Sequence, residues 1–319
     1  MRALIVDSPG LSRIAEREIP SPGSGQTLVR VIACGLCGTD YKIFSGKTHA
    51  EYPIIPGHEI TGIVEESEEI EKGQMVVIDP NRPCGRCRFC KSGRPHFCEH
   101  LQATGVTESG GFSEYVLVWN TQVYPVKNVP PERAVFAEPL SCILNGLRRI
   151  KGEFFERVLI LGAGSIGMIF GLMLKRILPG AEIVLWDVDE TRAEYVSKNF
   201  VLKVEPPKGS YDLTVECSGS VEGFKTCFDS SAFGGVLLQF GVVDKDKKVG
   251  VSPYDVYRKE LRIQGTYLNP FTMGEAVRII ESGELLFEKL VTDRLDLEGV
   301  RDYLQNNRKA LVKAVFWNH

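Results

Sequence analysis

The chain opens on apolar runs cut short by glycine and proline. MRALIVD, LVRVIACG, ITGIVEES and QMVVIDP read as strands, and SPGSGQ, IIPGHE and NRPCGRC read as turns. This pattern predicts a β-rich region with long loops. After about Glu138 the texture changes. RVLILGAGSIG is an apolar strand running into a glycine-rich turn, and IGMIFGLMLKRIL behind it has helical character. EIVLWDVD, YDLTVECSG and GGVLLQFG repeat the strand pattern, separated by helix-like ETRAEYVSKNF and by a helix through 221–231. Strands alternating with helices predict a parallel sheet built of strand–helix–strand units. From about Leu286 the tail adds the helix-like LEGVRDYLQNN and a last strand, KAVFW. The expected class is α/β, with a β-rich domain over 1–137, a parallel-sheet domain over 138–285 and a tail over 286–319. No internal repeat is visible.

One connection is too short for the pattern. Between the third strand of the sheet, near 202–204, and the fourth, near 211–215, lies only EPPKGS. In the usual order of such a sheet the fourth strand stands about three strand spacings from the third, roughly 14 Å away. The seven residue steps from 204 to 211 reach about 23 Å when extended, so a direct crossover fits. A sheet with one crossover helix missing is therefore expected.

Composition narrows the class. A length of 319 residues suits two domains, and 43% hydrophobic with 25% charged residues is ordinary for a globular protein. The net charge of −3, with Lys and Arg scattered, argues against a nucleic-acid or anionic-membrane surface. No run approaches the roughly 18 apolar residues of a membrane span. The amino terminus enters a strand without the features of a signal peptide. Nine cysteines, an odd number, fit a reducing compartment, so a cytoplasmic location is expected.

Four of those cysteines, Cys84, Cys87, Cys90 and Cys98, form a C-x2-C-x2-C-x7-C run. Their spacing matches a structural zinc site, and four sulfurs leave no open position for chemistry. Nothing suggests secretion, so a disulfide reading has little behind it. Arg82, Arg86, Arg88, Lys91 and Arg94 in the same loop raise a zinc-ribbon nucleic-acid module as an alternative. No aromatic ladder or wider basic face accompanies them.

Gly162, Gly164 and Gly167 make G-x-G-x-x-G after a strand and at the start of a helix, with Ser165 and Ile166 between them. Such glycines permit a tight turn and let a pyrophosphate approach the backbone and the helix N-terminus. Asp187 ends the next apolar strand, where an acid accepts hydrogen bonds from both ribose hydroxyls and repels a 2′-phosphate. NAD is thus expected over NADP. Asp189 could share the role, and Arg192 on the following helix is a candidate neighbour of the adenine ribose.

In the first region, Cys37 lies in CGLCGTD and His58 in PGHE, each beside glycine in a loop after a strand. Alone, the pair is as consistent with ordinary loop residues as with metal ligands. Together with the zinc loop and the dinucleotide turn, it points to a second metal centre.

CGLCGTD, PGHE, the four-cysteine loop, GGFSEY, AEPL, LGAGSIG and VECSG stand in an order that resembles the medium-chain zinc-dependent alcohol and polyol dehydrogenases, including sorbitol and threonine dehydrogenases. The resemblance covers essentially the whole length. It implies a GroES-like catalytic domain completed by the C-terminal tail, with a Rossmann doubly wound domain inserted. It implies two zinc ions per chain, one catalytic and one structural, and NAD as cofactor. Cys37 and His58 would bind the catalytic zinc, with Glu138 of AEPL as third protein ligand and Glu59 as an exchangeable or neighbouring ligand. Three protein ligands leave one position for a substrate oxygen. Thr39 matches the hydroxyl that takes the substrate proton, while Cys217 of VECSG and Gly241 extend the cofactor site. Cys34 would be structural. The chain departs from the pattern at Lys42, where many relatives carry a relay histidine. His49 is a weak substitute.

The polar loop SGKTHAEY and a carboxylate in the metal site favour a polyol, sugar or sugar acid, and Lys42, Lys47 and His49 could also hold a carboxylate. The expected reaction is reversible hydride transfer between NAD(H) and a secondary hydroxyl or ketone. Threonine-type amino-alcohol oxidation is the alternative enzyme, and a zinc-stabilised binding protein without turnover is the alternative outside that class. A homo-oligomer, dimer or tetramer, follows from the resemblance.

Overall fold

The computed structural model describes residues 1–200 and 202–318. They form two compact units, Met1–Ser141 with Asn269–His319, and Cys142–Leu268. The sequence pattern places the crossings at 138 and 286. In the structure the first falls within the helix Ala137–Arg149 and the second at Asn269.

The first unit is built on a seven-stranded sheet. Its order is Val291–Leu295, Lys313–Trp317, Gln26–Gly35, Glu59–Ser67, Met75–Ile78 and Val123–Pro125, with Tyr115–Trp119 also paired to Gln26–Gly35. Along Gln26–Gly35, Val29 and Val31 are buried and Arg30 between them is exposed, the alternation of a sheet with one face on a core. Val64, Val116 and Phe316 join that core, where Phe112 meets Phe316 edge-on at 6.3 Å. The tail strand Lys313–Trp317 runs antiparallel to Gln26–Gly35, with Phe316 opposite Cys34 and Val315 opposite Gly35. The points where the chain leaves and re-enters this unit are tied together. Asn269 Nδ2 donates to Ser141 Oγ at 2.9 Å and to Asp79 Oδ1 at 3.1 Å.

The second unit holds a six-stranded sheet, parallel throughout, in the order Lys203–Val204, Glu182–Trp186, Arg157–Leu161, Tyr211–Glu216, Ser231–Gln239, Arg262–Gly265. This is the doubly wound order with its switch point between Arg157–Leu161 and Tyr211–Glu216. Val158, Leu159, Ile160, Val184 and Leu185 are fully buried, as expected where helices cover both faces.

The missing helix is indeed missing. Residues 205–210 pass from the strand Lys203–Val204 to Tyr211–Glu216, three positions away, without one. Arg157 straps this crossover down, with Nη1 on the Ser210 carbonyl at 2.6 Å, Nη2 on that of Lys208 at 3.1 Å and the guanidinium 4.6 Å from the Tyr211 ring. Among the described residues no helix is long and apolar enough to cross a membrane.

Candidate active site and cofactor site

Register assembles the first site. The strand ending at Gly35 pairs antiparallel with the strand starting at Glu59, and Gly35 lies opposite Glu59. Two residues beyond Gly35, Cys37 caps the helix Gly38–Phe44, so its sulfur meets the loop that delivers His58. The ligand atoms of Cys37, His58 and Glu59 fall within 4.8 Å of one another, and His58 and Glu59 are buried. A half-buried thiol beside a buried imidazole and carboxylate is a donor set that suits zinc.

Asp40 holds the two loops in place. It is fully buried, its Oδ2 accepts from Cys37 N at 2.8 Å and its Oδ1 from Gly57 N at 3.0 Å, and His58 Nδ1 lies 3.6 Å from Oδ1. Burial opposes a proton on His58, but the charges of Cys37 and Asp40 outweigh it and raise the imidazole well above its usual range. Asp40 is not among the site residues that the motifs predict. Its signal was an acid three residues after a helix cap, where it can reach back to the cap N–H.

Lys313, at the head of the tail strand, was also missed. Its Nζ lies 2.7 Å from Glu59 Oε1 and 2.5 Å from Oε2, with both side chains almost wholly buried. Burial works against its charge, yet the acids Glu59, Cys37 and Asp40 raise its pKa. Glu138 is buried in the first turn of Ala137–Arg149 and is not one of the three clustered residues. That helix had no counterpart in the sequence pattern. Thr39 sits half-buried two residues past Cys37, Lys42 is half-buried in the same helix, and His49 is exposed. Cys34 is buried beside the cluster, and burial followed by Asp40 and Glu59 pushes its thiol well up, consistent with an inert residue.

The second cluster closes locally. The sulfurs of Cys84, Cys87, Cys90 and Cys98 lie within 4.8 Å of one another, with Cys87 3.6 Å from Cys90 and 3.9 Å from Cys98. A tetrahedral zinc with bonds of about 2.3 Å places its sulfurs about 3.8 Å apart, so the loop has the right dimensions. Backbone N–H groups of Cys84 and His100 point at Cys98 Sγ at 3.2 and 3.3 Å. Backbone donors at Cys90 and Glu99 draw Cys87 down to about 6. The latter effect favours thiolate at Cys87, while desolvation pushes the Cys90 thiol up to about 12.

In the second unit, Gly162 follows the strand Arg157–Leu161 and Gly164 caps the helix Ser165–Ile177, which begins with Ser165 and Ile166. A β-carbon on Gly167 would stand 1.8 Å from the Gly162 carbonyl oxygen, so only glycine lets helix and turn approach. Asp187 ends the adjacent strand, buried, and its Oδ2 accepts from Ala163 N at 2.7 Å within the glycine turn. Asp189 instead caps the helix Glu190–Asn199 by accepting from Arg192 N at 3.1 Å. Arg192 Nη1 lies 3.1 Å from both oxygens of Asp187, so this buried acid carries its own cation. Cys217 follows the strand Tyr211–Glu216 and its N–H donates to the Leu161 carbonyl at 2.8 Å, across the switch point. Gly241 N donates to the Glu216 carbonyl at 2.7 Å at the same edge.

Comparison with known proteins agrees with this architecture. Residues 23–128 match the alcohol dehydrogenase GroES-like domain family. D-arabinitol dehydrogenase 1 of Uromyces fabae is 32% identical over 99% of this chain and 97% of its own length. D-altritol 5-dehydrogenase of Agrobacterium fabrum is 31% identical over 93% of each. A protein of Sinorhizobium meliloti described as a zinc-binding dehydrogenase, solved with NADP, superposes with a TM-score of 0.93 at 31% identity over 99% of both chains. With such identity over nearly its entire length, together with this fold, the chain belongs to the zinc-type medium-chain alcohol and polyol dehydrogenases, zinc- and nicotinamide-linked oxidoreductases.

Proposed function

We propose that the protein catalyses reversible hydride transfer between NAD(H) and a secondary hydroxyl or ketone of a polyol, sugar or sugar acid, using one catalytic and one structural zinc per chain. The observation that carries this reading is the shielded group of Cys37, His58 and Glu59 in a chain whose relatives act on D-arabinitol and D-altritol. Bound zinc supplies a Lewis acid that lowers the pKa of the substrate hydroxyl, and bound nicotinamide supplies the hydride acceptor.

The chain's own residues do the rest. Cys37 and His58 hold the metal, oriented by Asp40, which binds Cys37 N and faces His58 Nδ1. Glu138 is the third protein ligand, while Glu59, engaged by Lys313, is the carboxylate that exchanges. Thr39 passes the substrate proton outward. Lys42 stands where many relatives have a histidine, so this chain's proton route differs from theirs. Cys84, Cys87, Cys90 and Cys98 hold the second zinc, which fixes their loop.

Asp187, bonded to the glycine turn, favours NAD through the ribose hydroxyls. Gly162, Gly164, Ser165, Ile166 and Gly167 receive the pyrophosphate, with Arg192, Cys217 and Gly241 around them. A cytoplasmic location and a homo-oligomer of two or four copies belong to the same reading. The test is NAD reduction by the zinc-loaded protein across polyols, aldonates and uronates, with L-threonine included. Turnover of a polyhydroxylated compound well above that of threonine is expected; threonine as the best substrate would overturn the substrate class.

A further inference from the structure

The carboxyl edge of the parallel sheet carries a buried acid that the reaction above leaves unused. Glu216, the last residue of the strand Tyr211–Glu216, is 0% exposed. Its Oε1 accepts from Ser218 N at 2.7 Å, Ser218 Oγ at 2.5 Å and Gly219 N at 2.9 Å. Its Oε2 accepts from Gln239 Nε2 at 2.9 Å, and the same nitrogen donates to the Gly241 carbonyl at 2.6 Å. The main-chain carbonyl of Glu216 takes the N–H groups of Phe240 and Gly241 at 3.1 and 2.7 Å. One residue therefore grips the turns that follow two neighbouring strands, Tyr211–Glu216 and Ser231–Gln239. The fit is close: a β-carbon on Gly241 would lie 2.4 Å from both Glu216 Oε2 and Gly219 N.

A doubly wound sheet binds its dinucleotide across the switch point, one nucleotide to each half. The glycine turn and Asp187 lie on the half that takes the adenosine nucleotide. The turns held by Glu216 lie at the same edge of the other half. A carboxylate withdrawn from water requires its donors, so the positions of Ser218, Gly219 and Gly241 are fixed by the burial of Glu216. Building on the dinucleotide reading above, we propose that Glu216, with Gln239, is a positioning residue for the nicotinamide nucleotide, acting through the backbone of Ser218–Gly219 and Gly241 without touching the cofactor.

The experiment compares NADH with ADP, which lacks the nicotinamide nucleotide, as ligands of the zinc-loaded full-length protein. Glu216→Gln presents an amide to Gln239. Either two donors then face each other, or the Gln239 amide turns and gives up the Gly241 carbonyl. The expected result is a loss of about tenfold or more in NADH affinity with ADP affinity unchanged within about twofold. Gln239→Met, which leaves the Oε1 bonds intact, should show the same selective loss at about threefold, and it carries the comparison should Glu216→Gln not fold. Equal weakening of both ligands, or no change in either, overturns the inference. Wild-type protein that binds neither ligand overturns the dinucleotide reading itself, and this inference with it.

Discussion

Lys313 and Glu59, separated by 254 positions in sequence, form a nearly solvent-free ion pair whose shorter separation is 2.5 Å, beside the sulfur of Cys37. The last strand of the chain thus supplies the cation that lets the Glu59 carboxylate remain buried near Cys37 and Asp40. Removing the lysine leaves an uncompensated buried charge. Lys313→Met is expected to destabilise the metal-free protein by about 3–5 kcal/mol in urea unfolding. The double variant Lys313→Met/Glu59→Leu should regain much of that loss, because matched apolar replacement of a buried pair is often neutral. A single variant as stable as the parent would refute the structural weight given to this pair.

Metal analysis separates the two cysteine sites. The parent should hold two zinc ions per chain, and Cys37→Ser and Cys90→Ser one each. Cys37→Ser should lose about a thousandfold in turnover while NADH binding and the fold persist, since a Lewis acid contributes several kcal/mol to such chemistry. Activity retained by Cys37→Ser removes it from the ligand set.

The two carboxylates can be told apart in the same way. Glu138→Gln is expected to lose the catalytic zinc on dialysis, whereas Glu59→Gln should keep two ions per chain and turn over more slowly. The reverse pattern assigns Glu59, the carboxylate clustered with Cys37 and His58, as the permanent ligand.

Asp187→Ala removes the acid proposed to take the ribose hydroxyls and takes one partner from Arg192, whose Nη1 stands 3.1 Å from both Asp187 oxygens and whose Nη2 stays 3.6 Å from Asp189. The KM for NAD should rise about tenfold or more, while NADP gains relative to it, because a guanidinium no longer neutralised by Asp187 pairs well with a 2′-phosphate. Equal changes for the two cofactors would mean that another residue reads the ribose.

Arg157 takes over the task of the absent crossover helix by bonding the carbonyls of Lys208 and Ser210 and covering Tyr211. Arg157→Met should destabilise the protein by about 1–2 kcal/mol without changing its zinc content. An unchanged urea midpoint would show that the crossover holds itself.

Much of this architecture was legible because its determinants are local. The G-x-G-x-x-G turn, the four-cysteine loop and the bare EPPKGS link each lie within a short stretch, where spacing and chain reach decide the outcome, and the sheet order matches the expectation from strand–helix alternation. The sequence by itself settled the α/β class, the missing helix and the pairing of Cys37 with His58 as candidates. Tertiary structure alone decided what surrounds them. The register that sets Gly35 against Glu59 draws the two loops together, and the pairing of the tail strand with Gln26–Gly35 brings in Lys313. The bonds of Asp187 to Ala163 N and of Asp189 to Arg192 N separated two acids that look alike in sequence. A lysine or glutamate bears no local mark of its future burial. Lys313 and Glu216 acquire their roles only when folding excludes water and obliges each buried charge to find partners from distant strands and turns.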